Sequence, residues 1–284
     1  MSIEIIAVYK NLDDYVSGIE DNAGSAEMLW NKYAIDPYWK TLCQYAPYDL
    51  SDRKPKPITD IVLLKKQIDL LSKIDMCKLK DGFDIIAAAL PNFDDDTIYI
   101  ALYPLSDDDT TVKENQNGVI GASTYGNILI NINPLVDNFM DWIPYVFAHE
   151  YHHTVWGSYW YAMHGDELQN QFINSLLIDG EADCFALSFH PELRPKWLYD
   201  ISKESEKDLW KNQYSKVVLK QDVDYCKYMF GDESIGIPWC AGYAIGHRIV
   251  NQFLINNPNI TFGMLLEMQP LEIYRKSEYS SSLL

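Results

Sequence analysis

The run His149-Glu150-Tyr151-His152-His153 constrains this chain more than any other stretch. It contains His-Glu-x-x-His, with His149 and His153 four residues apart. Residues at that offset share one face of an α-helix, so two imidazoles can reach a single metal ion. Neutral nitrogen ligands leave a zinc ion Lewis acidic, and the water it acidifies needs a base beside it. Glu150, one position on, is placed to be that base. His149 and His152 are also close enough to chelate, but only His149 with His153 completes the pattern. His152 is read as a residue behind the ligands or partly exposed. The preceding run, Phe139 to Ala148, is apolar near helical spacing, and Pro144 suits an early turn. The helix is expected to begin near Pro144 and to carry both histidines in its interior.

A catalytic zinc usually takes three protein ligands and keeps one position for water. His164, His190 and His247 are the imidazoles left outside the motif, and Gly157 is not followed by a histidine at the spacing of the longer His-Glu-x-x-His-x-x-Gly-x-x-His pattern. A carboxylate is therefore expected downstream. Glu181 lies in Leu176 to Ala186, a segment that reads as a buried helix, and a buried carboxylate needs a partner such as a zinc ion. Asp183 is the rival ligand; two residues on, it faces a different side of the helix. His164 and His190 are given no role, and His190-Pro191 reads as a helix end. The expectation is one zinc ion per chain on His149, His153 and Glu181.

Over about residues 118–256 the chain resembles the YjaZ-like group of predicted zinc-dependent proteases. The resemblance rests on Ile128-Leu129-Ile130-Asn131-Ile132-Asn133-Pro134, on Ala148-His149-Glu150-Tyr151-His152-His153, on Asp179-Gly180-Glu181-Ala182, and on Gly242-Tyr243-Ala244-Ile245-Gly246. It implies a gluzincin-type site, with His149, His153 and Glu181 as ligands and Glu150 as general base. The family's second motif usually runs Glu-Gly-Leu-Ala-Glu, whereas here it is Asp179-Gly180-Glu181-Ala182-Asp183. The piece Glu181 to Ala186 also resembles the third-ligand segment of ImmA/IrrE-type metallopeptidases, which again points to Glu181.

Composition narrows the partners. A net charge of −18 on 284 residues argues against phosphate backbones, which need clustered Lys and Arg, so no nucleic-acid partner is expected. No apolar run approaches the length of a membrane span, and the opening Met1 to Ile6 lacks the basic and apolar regions of a secretory leader. Cys43, Cys77, Cys184, Cys226 and Cys240 are odd in number, scattered and without a Cys-x-x-Cys pair, which reads as reduced thiols in a cytoplasmic setting.

Residues 1–57 are dense in Tyr and Trp and end in Arg53-Lys54-Pro55-Lys56-Pro57, a break before a metallopeptidase domain spanning 58–284, with a single domain over the whole chain as the alternative. Within it, helices are expected over 60–90, strands over 97–133 and a helical part over 139–275. Ile61, Leu64, Ile68 and Leu71 carry helical spacing, and Phe83 to Leu90 reads as a helix stopped by Pro91. Thr97 to Tyr103, Val119 to Thr124 and Ile128 to Ile132 read as strands, the last two joined at Tyr125-Gly126-Asn127. The only low-complexity run is the closing Ser280-Ser281-Ser282. The expected fold is α+β, a small antiparallel or mixed sheet packed on a mainly helical zincin-like core. Residues 125–133 are the candidate for a sheet edge along which a peptide substrate lies, with an interior strand free of substrate as the alternative.

Amide hydrolysis builds negative charge on the carbonyl oxygen, and a donor beside the metal stabilises it. Tyr243 and His247 are four apart in the helix-like stretch Trp239 to Leu254, which the resemblance places near the site, and are the candidates for that task; the alternative is a core tyrosine and a surface histidine. The leading function is zinc-dependent hydrolysis of a peptide or protein substrate. Hydrolysis of another amide is a close rival, and a zinc-binding regulatory or sensor protein is the alternative outside catalysis. A site closed by four protein ligands would favour that alternative.

Overall fold

A computed structural model describes residues 2–93, 96–165, 167–168 and 170–281 of the chain. Ser282 lies outside the described residues. The chain forms two compact units, residues 1–158 and 159–284.

The first unit carries the sheet. Strands β1 (Ser2–Ala7), β2 (Thr97–Pro104), β3 (Val119–Ser123) and β4 (Ile128–Ile132) form one mixed sheet in the order β1-β2-β4-β3. β1 and β4 flank β2 in parallel, and β3 pairs antiparallel with β4. The hairpin between β3 and β4 turns on Tyr125 and Gly126, both at positive φ, closed by a 2.7 Å bond from the Thr124 N–H to the Asn127 carbonyl. That two-residue turn matches strand twist. It also puts β3 outermost, so β4 is an interior strand. Of residues 125–133, the candidate edge, the strand part is β4 and is interior; the edge strands are β1 and β3.

Helices α1 (Asp13–Glu20), α2 (Ala26–Trp30) and α3 (Asp36–Leu42) follow β1, and α4 (Ile61–Leu71) and α5 (Met76–Ala89) precede β2. Asp60 and Asp75 cap α4 and α5 by accepting bonds from the Leu63 N–H, and from the Cys77 and Lys78 N–H groups. Tyr15, Trp30, Ala34 and Leu42 share a core with Ala101, Tyr103 and Leu129 of the sheet. The aromatic-rich segment before residue 57 therefore packs on the strands. After α6 (Thr110–Asn115), the helix α7 (Phe139–Gly157) closes the unit. It begins five residues before Pro144, which therefore sits in the second turn and offers no N–H to the Met140 carbonyl.

The second unit is helical: α8 (Phe172–Phe189), α9 (Lys196–Tyr199), α10 (Lys203–Asn212), α11 (Tyr225–Phe230), α12 (Ala241–Asn256), α13 (Phe262–Leu266), α14 (Pro270–Arg275) and α15 (Glu278–Ser281). α8 and α12 meet glycine to glycine. A Cβ on Gly180 would lie 2.8 Å from the His247 nitrogen, and one on Gly246 would run into the Leu176 backbone. The two helices thus approach more closely than any larger side chain at those positions permits. Among the described residues, no helix is long and apolar enough to cross a membrane.

Candidate metal centre

His149 and His153 stand on successive turns of α7, both half-buried, with their Nε2 atoms 3.0 Å apart. Their rings meet edge to face. Tetrahedral zinc with bonds of about 2.0–2.1 Å spaces its ligand nitrogens about 3.3 Å apart, so this spacing suits a shared ion. His152 is completely buried rather than partly exposed, and its ring centroid lies 6.4 Å from that of His153.

Glu150 is buried, and its Oε2 accepts a 2.6 Å hydrogen bond from the Ser123 N–H of β3. One residue of an edge strand thereby fixes the carboxylate. The approach requires Gly121: a Cβ there would collide with the Glu150 Cγ, and would stand 2.9 Å from its Cδ and 2.7 Å from the Val146 Cγ1. The Ser123 hydroxyl bonds the Thr154 hydroxyl at 3.1 Å, one turn beyond Glu150 on α7. The Ser123 carbonyl accepts from the Arg53 guanidinium at 2.8 Å. Nothing in the motif points to Gly121, Ser123 or Arg53, because they reach the site only through strand pairing.

One ligand atom each from His149, His153 and Asp179 lie within 4.8 Å of one another, the group of this kind among the described residues. Glu181, the expected third ligand, is not in the group, and neither is its rival Asp183. Two positions along an α-helix turn a side chain through about 200°, so Asp179 and Glu181 occupy opposite faces of α8. Glu181 is fully buried, and burial pushes its carboxyl well above the usual carboxylate range. Asp183, also buried, accepts a 3.3 Å bond from the Trp197 indole N–H. The signal for Asp179 was present in the second motif, where it stands at the first Glu of Glu-Gly-Leu-Ala-Glu. Two imidazoles and a carboxylate are a donor set that zinc accepts.

On α12, Tyr243 is half-buried, packs against the core of the second unit and has its ring 5.9 Å from that of Phe230. His247 is buried rather than on the surface, with its ring 6.1 Å from that of Tyr199. Burial pushes its imidazole below the ordinary value; Asp183 opposes the shift and Arg248 adds to it. His164 lies 3.2 Å from Glu167, and His190 is the C-terminal cap of α8, the helix end expected there.

A family model described as "Predicted Zn-dependent protease (DUF2268)" matches residues 84–275, a span that takes in α7, α8 and α12. The "Uncharacterized protein YjfC" of Bacillus subtilis (strain 168) is 33% identical over 153 residues, covering 49% of this chain and 48% of that protein. The chain thus matches about half the length of this curated relative. No solved structure matches.

Proposed function

Because this chain belongs to the family of predicted Zn-dependent proteases, we propose that it is a zinc metallopeptidase that hydrolyses peptide bonds. The observation that carries the reading is local to α7 and β3. Two imidazole nitrogens face each other at 3.0 Å, and the intervening Glu150 is anchored to the backbone of an edge strand at 2.6 Å.

In this reading His149, His153 and Asp179 hold one zinc ion per chain, with Asp179 taking the place first given to Glu181. When bound, the ion supplies Lewis acidity and lowers the pKa of water beside it to near neutrality. Glu150 takes the proton from the attacking water and returns it to the leaving amine. The Ser123 N–H orients that carboxylate and leaves its other oxygen for proton transfer. The substrate is an extended peptide laid along β3. In the antiparallel ladder, alternate residues turn their N–H and C=O outward. The Thr124–Asn127 and Gly118–Asn133 bonds place Gly121 and Ser123 among the outward ones. Tyr243 and His247 are the proposed donors to the developing oxyanion. Five free cysteines support a reducing, cytoplasmic setting, and neither nucleic acid nor membrane is part of the proposal.

The test is metal analysis together with turnover of a fluorogenic peptide library. Wild type is expected to hold one zinc and to cleave. Glu150→Gln is expected to keep the zinc and lose about 10²- to 10⁴-fold in rate. Equal turnover in the two proteins would remove Glu150 as base, and zinc without turnover in wild type would favour the regulatory alternative.

A further inference from the structure

We propose that Arg53 is a substrate-recognition residue, whose guanidinium receives a carboxylate of the bound peptide at the hairpin end of β3. The proposal rests on the peptidase reading of the site and deepens it by naming the substrate class.

Ser123 spends both of its outward backbone groups on side chains. Its N–H goes to Glu150 at 2.6 Å and its carbonyl to Arg53 Nη1 at 2.8 Å. A single residue of the edge strand therefore sets the distance between the proposed base and a cation. Residues along a strand advance by about 3.3 Å, so Arg53 stands within one or two substrate residues of the bond to be cut. A peptide pairing with β3 can use the outward groups of Gly121, but at Ser123 it meets the guanidinium instead of free backbone.

The charge of Arg53 is not otherwise used. The side chain is exposed, and among the described residues no carboxylate pairs with it. In a chain with 41 acidic and 23 basic residues, a guanidinium beside the proposed base is a scarce attraction for an acidic peptide. Lys54, next in sequence, lies over the Trp39 ring at 5.7 Å and adds to the local positive potential. A guanidinium has five N–H donors in a planar fork, and the Ser123 carbonyl engages one nitrogen. A carboxylate binds such a fork through two charge-assisted bonds, stronger than one bond to a neutral carbonyl. The arriving carboxylate thus displaces or shares the Ser123 contact. It can belong to an Asp or Glu side chain or to the C-terminus of the peptide.

The experiment uses fluorogenic peptides of one length in which Glu or Gln is scanned through each position, every one made with a free and an amidated C-terminus. Each is turned over by wild type, Arg53→Gln and Arg53→Glu at matched zinc content. Wild type is expected to favour one carboxylate position by about 10- to 100-fold in kcat/KM, the range of a charged hydrogen bond. In Arg53→Gln the ratio should fall to about one, and in Arg53→Glu it should invert, the Gln peptide becoming the better substrate. The Glu/Gln and acid/amide arms tell a side-chain carboxylate from a C-terminal one. Unchanged ratios in Arg53→Gln would overturn the proposal and leave the peptidase reading in place. Binding of the same peptides to zinc-loaded Glu150→Gln, read by fluorescence anisotropy, separates the two ideas. An Arg53-dependent preference in binding, with no cleavage by wild type, would overturn the peptidase reading alone. Absence of peptide binding would overturn both.

Discussion

The Ser123 N–H donates to the Glu150 carboxylate at 2.6 Å, joining the edge strand β3 to the helix that carries the histidine pair. A helix alone can place Glu150 near a metal, but it cannot hold the end of a flexible side chain. The strand supplies that restraint, and Gly121 makes room for it two residues earlier. The carboxylate position is a property of packing between β3 and α7.

Gly121→Ala tests that packing. The new methyl group would meet Glu150 and Val146, so the carboxylate must shift or the strand must move. Misplacing a reacting group by about 1 Å costs on the order of 10²-fold, and overpacking costs roughly 1–3 kcal/mol of stability. The expected outcome is zinc content like wild type, a lowered Tm and a kcat reduced about 10- to 100-fold. Undiminished turnover would show that the base does not depend on the space Gly121 leaves.

Paired substitutions on α8 decide the metal carboxylate. Asp179→Asn should lose zinc during dialysis against a chelator that wild type survives, because one charged ligand of three is gone. Glu181→Gln should keep its zinc, since Glu181 stands on the opposite face of the helix. The reverse result, read by elemental analysis, would restore Glu181 as the ligand and remove Asp179.

His247 should make the protein sensitive to mild acid. Burial lowers its folded-state pKa below the ordinary value near 6.5, against Asp183 of α8 and with Arg248 beside it on α12, while Tyr199 of α9 stacks edge-on. The unfolded chain therefore binds a proton that the folded chain refuses. Stability is fully present above about pH 6.5 and falls as the pH drops towards the folded-state pKa, where the loss levels off. Tm measured from pH 8 to 5 should decline more steeply for wild type than for His247→Gln. Parallel curves would mean that the folded imidazole takes up its proton normally.

Where the information is local, the sequence was legible. The four-residue offset of His149 and His153 placed them on one helical face. Two strand-like runs joined at Tyr125-Gly126-Asn127 placed β3 and β4, and apolar spacing placed α4. Strand β1 was not read, since its six residues acquire meaning only by pairing with Thr97–Leu102, some ninety positions away.

The sequence by itself determined that a His-Glu-x-x-His helix exists, that a buried acidic helix follows it and that the fold is α+β. Tertiary structure decided that β4 is interior and that β3 is an edge strand. It also decided which backbone group holds Glu150. The reason is physical in each case. Strand order depends on crossover connections that leave no periodic trace, so β4 and β3 look equally exposed until β2 is seen beside β4. A helix buried on every side has no polar face, and α8 is buried from Asp179 through Ala186. Its residue pattern therefore assigns no direction to Asp179, Glu181 or Asp183. Only the packing of the folded chain breaks that symmetry.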